Sequence, residues 1–379
     1  MTALRLPFTL CLGLLTTTVL AEDPPAEPAP IVVDASEHDS LQAAFDALPA
    51  TGGMVKLPPG TTEITEPLII STPETRIEGA GASTHIKNLN TEGQPAIILR
   101  PKDAEENPRS FLWRVKLGNF RVSGNEKSGH GILAQNINEI LVHGMSIDHH
   151  GQHGLAMIKC YEDPRIADSI FTYNKQAGVF LDGNHDIVVS ANHFEENQDA
   201  LVCVDGFNLC MTGNNIDDHL RHGVVIENTY GSVVSGNMIE ECEGVAIILD
   251  RDCYGITLSA NVIAHDMQGG IDLRDAHGCA VSANTFVLVH EFGVRVSPQS
   301  GRITISANNF SNSYIGEGKT KRPLKADRPI QEDAAVGVVL EGARHVAISG
   351  NTFSGVNNAA VTGDAESKGI LVTGNVITN

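Results

Sequence analysis

The chain has 379 residues, of which 26 are Lys or Arg and 46 are Asp or Glu, a formal net charge of −20. So acidic a surface is a poor partner for nucleic acid. One Trp and five Tyr also leave few rings for gripping a neutral glycan, so charged sugars held by Arg, Lys or a cation are the better expectation.

Residues 1–21 read as a secretory signal: Arg5 supplies the charge, Leu6 to Leu20 the apolar run, and Val19-Leu20-Ala21 a small-residue cleavage site. Cys11 sits inside that run, where it cannot serve as a lipid attachment point. Cleavage near Ala21 would place the mature protein in the periplasm or outside the cell. No other apolar run is long enough to span a bilayer. Removing the signal leaves 25 basic against 46 acidic residues, a net of −21. Six cysteines remain, Cys160, Cys203, Cys210, Cys242, Cys253 and Cys279, without a CxxC pair, and free core thiols are expected ahead of bridges. The Pro- and Ala-rich residues 22–30 read as a flexible leader, and 31–379 as one domain, expected to be monomeric.

Ser40 to Leu48 begins with an N-cap residue and sets Leu41, Ala44, Phe45 and Leu48 on one helical face. A helix there is expected to cap the array that follows. Strand-like text then runs through Met54–Leu57 and Leu68–Ile70.

From Gly131 onward the chain repeats. Asn192, Asn214, Asn237, Asn261, Asn284, Asn308, Asn351 and Asn375 recur at steps of 22, 23, 24, 23, 24, 43 and 24 residues. Two residues after each stands Phe or Ile. Between them come a Gly, alternating apolar residues, a polar turn and more β-branched residues, with no helical periodicity. Stacked units with parallel strands are implied. The pattern resembles the parallel β-helix repeats of the pectate-lyase-like superfamily. The resemblance implies an all-β, right-handed parallel β-helix with three strands per coil of about 23–24 residues. The Asn is expected at a sharp turn, in a left-handed conformation, its amide bonded to the next coil. Counting back places Ser169 and Met145 at the same position.

The 43-residue step is about 19 longer than one coil. The surplus, a loop at about 311–335, carries Lys319, Lys321, Arg322, Lys325 and Arg328 against Asp327. On so acidic a protein this inverted charge suits a flap that binds an anionic polymer.

After each first-strand Gly, positions +1 and +3 are expected inward, so +2 and +4 face out. Val224, Ile226, Ile271, Leu273, Val294 and Val296 then form the core. Asp272, Arg274 and Arg295 meet on the outer face of the coils beginning at Gly223, Gly244, Gly270 and Gly293. With Asp250 and with His222, from a turn entering these strands, they form the candidate catalytic set. Asp182, Asp205 and Glu227 are candidate ligands for Ca²⁺. Gly129-His130-Gly131 and Asp217-Asp218 stand in the wrong order for a polygalacturonase-type hydrolase. The resemblance implies a secreted carbohydrate-active protein, and the residue types favour lyase cleavage of an acidic polysaccharide. A uronate C5-epimerase and a non-catalytic carbohydrate-binding or surface scaffold remain as alternatives.

Overall fold

In the computed structural model the described residues are 31–311, 336–356 and 359–378. Residues 1–30, expected to be a signal and leader, lie outside them, as does nearly all of the basic insert with Lys319, Lys321, Arg322, Lys325 and Arg328. No described helix is long and apolar enough to cross a membrane. All strand pairings given for these residues are parallel, and each joins one coil to the next. The result is a parallel β-solenoid.

Three stacks of strands run along it. One coil shows the unit: a first strand Asp199–Val204, a second Cys210–Thr212 and a third Asn215–Asp217. Each pairs with its counterpart one coil on, His222–Glu227, Val233–Ser235 and Met238–Glu240. Alternation sends every second side chain inward. Val224, Ile226, Ile271, Leu273, Val294 and Val296 are fully buried in a continuous apolar core, as the pattern predicts. Third-strand rings stack there too, Phe286 on Phe310 at 4.6 Å and Phe310 on Phe353 at 4.7 Å. The first-strand glycines make room for them: a Cβ on Gly293 or Gly337 would lie 2.5 Å from the ring of Phe310 or Phe353. Among the described residues all six cysteines are free, and only Cys210 is exposed.

The Asn ladder is continuous from Asn192 to Asn375. From Asn214 onward each Oδ1 accepts the backbone N–H and the amide of the Asn one coil earlier, as Asn237 does for Asn214 at 3.1 and 2.9 Å. The left-handed residue is displaced by one from the expected place. It is the residue before the Asn, namely Ala191, Gly213, Gly236, Ala260, Ala283, Ala307, Gly350 and Gly374, with φ between 54° and 69°. The turn needs one reversed residue, and placing it just ahead of the Asn swings the amide under the chain, where two backbone groups require partners. Ser169 continues the ladder with its hydroxyl, and Asp168 and Gly144 hold the reversed φ before Ser169 and Met145.

An N-terminal capping helix is not supported. Among the described residues the segment holds one α-helix, Leu41–Asp46 (α1), capped by the Ser40 hydroxyl on the Ala43 N–H. At six residues it is shorter than the Ser40–Leu48 expected, and its Leu41, Ala44 and Phe45 merge into the common core.

Candidate functional site

Coil register decides which outer residues meet. Val224 pairs with Ile247 and Ile247 with Ile271, so Ala246, not Gly244, occupies the glycine position of its coil. Asp250 then stands opposite Glu227, and Asp272 is flanked by Ile248 and Arg295. Four of the five expected catalytic residues converge. The Asp272 carboxylate accepts from Arg295 at 3.0 and 2.5 Å and from Arg274 Nε at 2.8 Å, while Arg274 approaches Asp250 at 3.7 Å.

Asp272 points away from the core, but it is not open to solvent. It is 0% exposed, because two guanidinium groups close over it. The outer face is also more apolar than the alternation predicts. Val225, Val245, Ile248 and Phe292 form a second buried cluster beside it, and the Arg295 guanidinium lies 4.4 Å from the Phe292 ring centroid. Charge-assisted bonds to Asp272 hold the Arg295 group firmly protonated, above its ordinary range.

His222 opens its first strand three coils before Arg295. Its Nδ1 accepts the Val245 N–H at 3.1 Å, so the neutral ring carries its proton on Nε2. Burial lowers its pKa, with Asp199 opposing. His153 uses Nδ1 the same way towards Ala177 N–H at 3.1 Å, and His130 towards His153 N–H at 3.3 Å. Burial takes both down to about 4. Two further histidines, His150 and His219, are fully buried and also brought to about 4 by desolvation.

The three residues expected to hold Ca²⁺ are not gathered as a donor set. Arg251 lies across two of them, 2.7 Å from Glu227 and 3.4 Å from Asp205, and Asn228 donates to Asp205. Asp182 stands further along, between Ile158 and Val204 in register. Carboxylates do converge on the third-strand side, where sequence reading placed no site. Asp217, Asp218 and Glu241 bring oxygens within 4.8 Å of one another, as do Glu240, Glu241 and His265. Burial first, then Asp218, Glu240, Glu241 and Glu195, raise the Asp217 pKa to about 6. The signal was present as two acidic pairs, Asp217-Asp218 and Glu240-Glu241, one coil apart.

A second feature escaped the sequence reading. In the turns from first to second strand, Tyr161, His185, Phe207, Tyr230 and Tyr254 occupy equivalent places in successive coils. Beyond them the same line reaches a cavity of about 440 Å³ lined by His277, Pro298, Ser300, Arg302, Arg344 and His345 among others.

The family described as periplasmic copper-binding protein (NosD) matches residues 74–225 and 166–322. No curated protein matches by sequence. Among solved structures, the A-module of the mannuronan C-5 epimerase AlgE6 of Azotobacter vinelandii is similar at 15% identity, with a TM-score of 0.70 over 91% of this chain and 99% of that one. The surface adhesin PfbA of Streptococcus pneumoniae is similar at 12% identity and a TM-score of 0.64, over 90% and 91%. ORF18 of Geobacillus virus E2 is similar at 17% identity and a TM-score of 0.51, over 76% of this chain, which spans 58% of that protein. These likenesses agree with a right-handed β-helix of the pectate-lyase-like kind.

Proposed function

The chain belongs to the family described as periplasmic copper-binding protein (NosD), and we propose that it is an exported solenoid that binds a polysaccharide without cleaving it. The observation that carries the reading is the state of the best-placed side chains. A lyase or epimerase needs a base with a free lone pair. Asp272 is engaged by two arginines, the neutral His222 keeps its proton on Nε2, and Asp250 accepts the Arg251 N–H with one oxygen while the other faces Arg274. Arg274 and Arg295 remain partly exposed, so the face can hold a sugar's oxygens while the carboxylate beneath them keeps the guanidinium groups in place. That the AlgE6 module is named a mannuronan epimerase and PfbA a surface adhesin supports a glycan or surface partner for this fold. The family's description and the signal-like residues 1–21 support export.

The described residues do not fit a copper centre. Copper takes thiolate, thioether or several imidazoles, and a ligating imidazole donates its second N–H to an acceptor. His130, His153 and His222 do the reverse with Nδ1. The thiols of Cys160, Cys203, Cys242 and Cys253 are pushed up to about 12 by burial, and neither converging donor group contains a cysteine. Asp217, Asp218 and Glu241 offer the hard oxygens that would suit Ca²⁺ instead.

The test is a panel of polyuronates, neutral glycans and amino-sugar polymers, measured for binding and for turnover, with and without Ca²⁺. Saturable binding to a polysaccharide with no unsaturated or epimerised product is expected. Catalytic formation of unsaturated ends would restore the lyase reading, and failure to bind any glycan would end this one.

A further inference from the structure

We propose that the aromatic stripe along the first-to-second turns binds a linear polysaccharide of amine-bearing sugars lying parallel to the solenoid axis. This rests on the polysaccharide-binding reading above, adds a second surface distinct from the Arg274–Arg295 face, and names the class of sugar it takes.

The chain has one Trp and five Tyr. The fold gathers Trp113, Tyr161, Tyr230 and Tyr254 into this single line, with His185 and Phe207 between them. Tyr161 lies 4.5 Å from His185, His185 4.8 Å from Phe207, and Phe207 5.3 Å from Tyr230, between ring centroids. Trp113, Phe207 and Tyr254 are 37%, 44% and 51% exposed. None of these rings belongs to the apolar core. Rings that served only to pack would be buried, whereas these lie one on the next along the axis and leave edges open to solvent at a repeat set by the strand spacing of about 4.8 Å. One pyranose of an extended β-linked chain advances by a similar length, so successive sugars meet successive rings.

Charge selects among such polymers. The same turns carry Glu162, Asp163, Asp186, Asp205, Asp252 and Asp275, all but Asp275 exposed. Against them stand Lys159, Arg114 over the Trp113 ring and Arg251; Arg114 is paired with Glu74 and Glu139, and Arg251 with Asp205 and Glu227. A polyuronate is repelled here. A protonated amino sugar gains carboxylate partners at the rims and packs its apolar C–H groups against the ring edges. Asn208 and Asn228, bonded to Asp186 and Asp205, add amides for the hydroxyls. The line ends where Arg302 and Arg344 reverse the charge around the cavity beyond His277.

The experiment measures affinity of the full chain for oligomers of β-linked glucosamine, their N-acetylated counterparts and a polyuronate. Wild type is expected to prefer the glucosamine oligomer and to lose affinity as salt rises. Phe207→Ala with Tyr230→Ala should weaken binding roughly four- to twenty-fivefold, at two- to fivefold per ring. Asp163→Asn with Asp252→Asn, conservative exchanges at exposed sites, should remove the preference over the acetylated oligomer while leaving circular dichroism unchanged. Glucosamine binding unaffected by both double variants, or equal affinity for the acetylated form in wild type, overturns the inference. Polyuronate binding unaffected by either double variant would do the same while leaving the polysaccharide-binding reading intact; no binding to any glycan would remove both.

Discussion

Replacing Asn237 with Ala tests the ladder at its centre. Asn237 is buried, its Oδ1 accepts the Asn214 N–H at 3.1 Å and the Asn214 amide at 2.9 Å, and its Nδ2 donates to Met211 O at 3.3 Å and to Asn261 Oδ1 at 2.9 Å. Alanine removes all four bonds. The Asn214 amide keeps its bond to Val189 O and the Asn261 Oδ1 keeps the Asn237 N–H, so the severest loss is the buried Asn214 N–H, left without its partner. At about 1 kcal/mol for each of the other three bonds and about 1–3 kcal/mol for the orphaned buried N–H, the substitution should cost about 4–6 kcal/mol. Asn375→Ala is the internal control. It removes three bonds at a half-buried site where water can replace them, and about 1 kcal/mol is expected. Urea denaturation followed by circular dichroism gives both values from the midpoints. Equal costs at the two positions, or less than about 1 kcal/mol at Asn237, would refute the view that the amides hold the coils together.

Ala283 carries φ 56°, so Ala283→Gly should stabilise by about 0.5–1 kcal/mol, against the usual penalty of glycine in a strand-rich chain; a lower midpoint would contradict the left-handed assignment. Ile271→Ala removes a fully buried side chain and should cost about 2–5 kcal/mol in the same assay. Asp272→Asn leaves Arg274 and Arg295 without their shared anion, and a loss of about 2 kcal/mol is expected rather than the neutrality of a surface exchange; an unchanged midpoint would show that the cluster is loosely held. His130, His150, His153 and His219 sit near 4 in the fold and near 6.5 when unfolded, so the unfolded chain binds more protons between those values. Stability should therefore fall as pH drops from about 6.5 to 4. Asp217, raised to about 6, opposes this, since its contribution is lost as pH rises from about 4 to 6. Urea midpoints across pH 7.5 to 4.5 should follow the four histidines, and His219→Asn should flatten the slope.

The architecture could be read from the sequence because a solenoid turns sequence distance into spatial distance. Residues one period apart are neighbours, so the recurrence of Asn192 to Asn375 and the alternation through Val224, Ile226, Ile271 and Leu273 fixed the stack, the core and the ladder before any coordinates. The aromatic line at Tyr161, His185, Phe207, Tyr230 and Tyr254 has the same period and was legible in principle, but its residues differ in type and so do not repeat as letters. Three things needed the tertiary structure. The left-handed residue precedes the Asn, because the turn is shaped by the backbone groups its amide must satisfy on two coils at once. Ala246, not Gly244, holds the glycine position because the strand pairing keeps the ordinary step of one coil from Gly223, so a nearby Gly outside that register takes no part in it. Asp272 is sealed because solvent access depends on what the neighbouring coils lay over a side chain, and alternation says only which way it points.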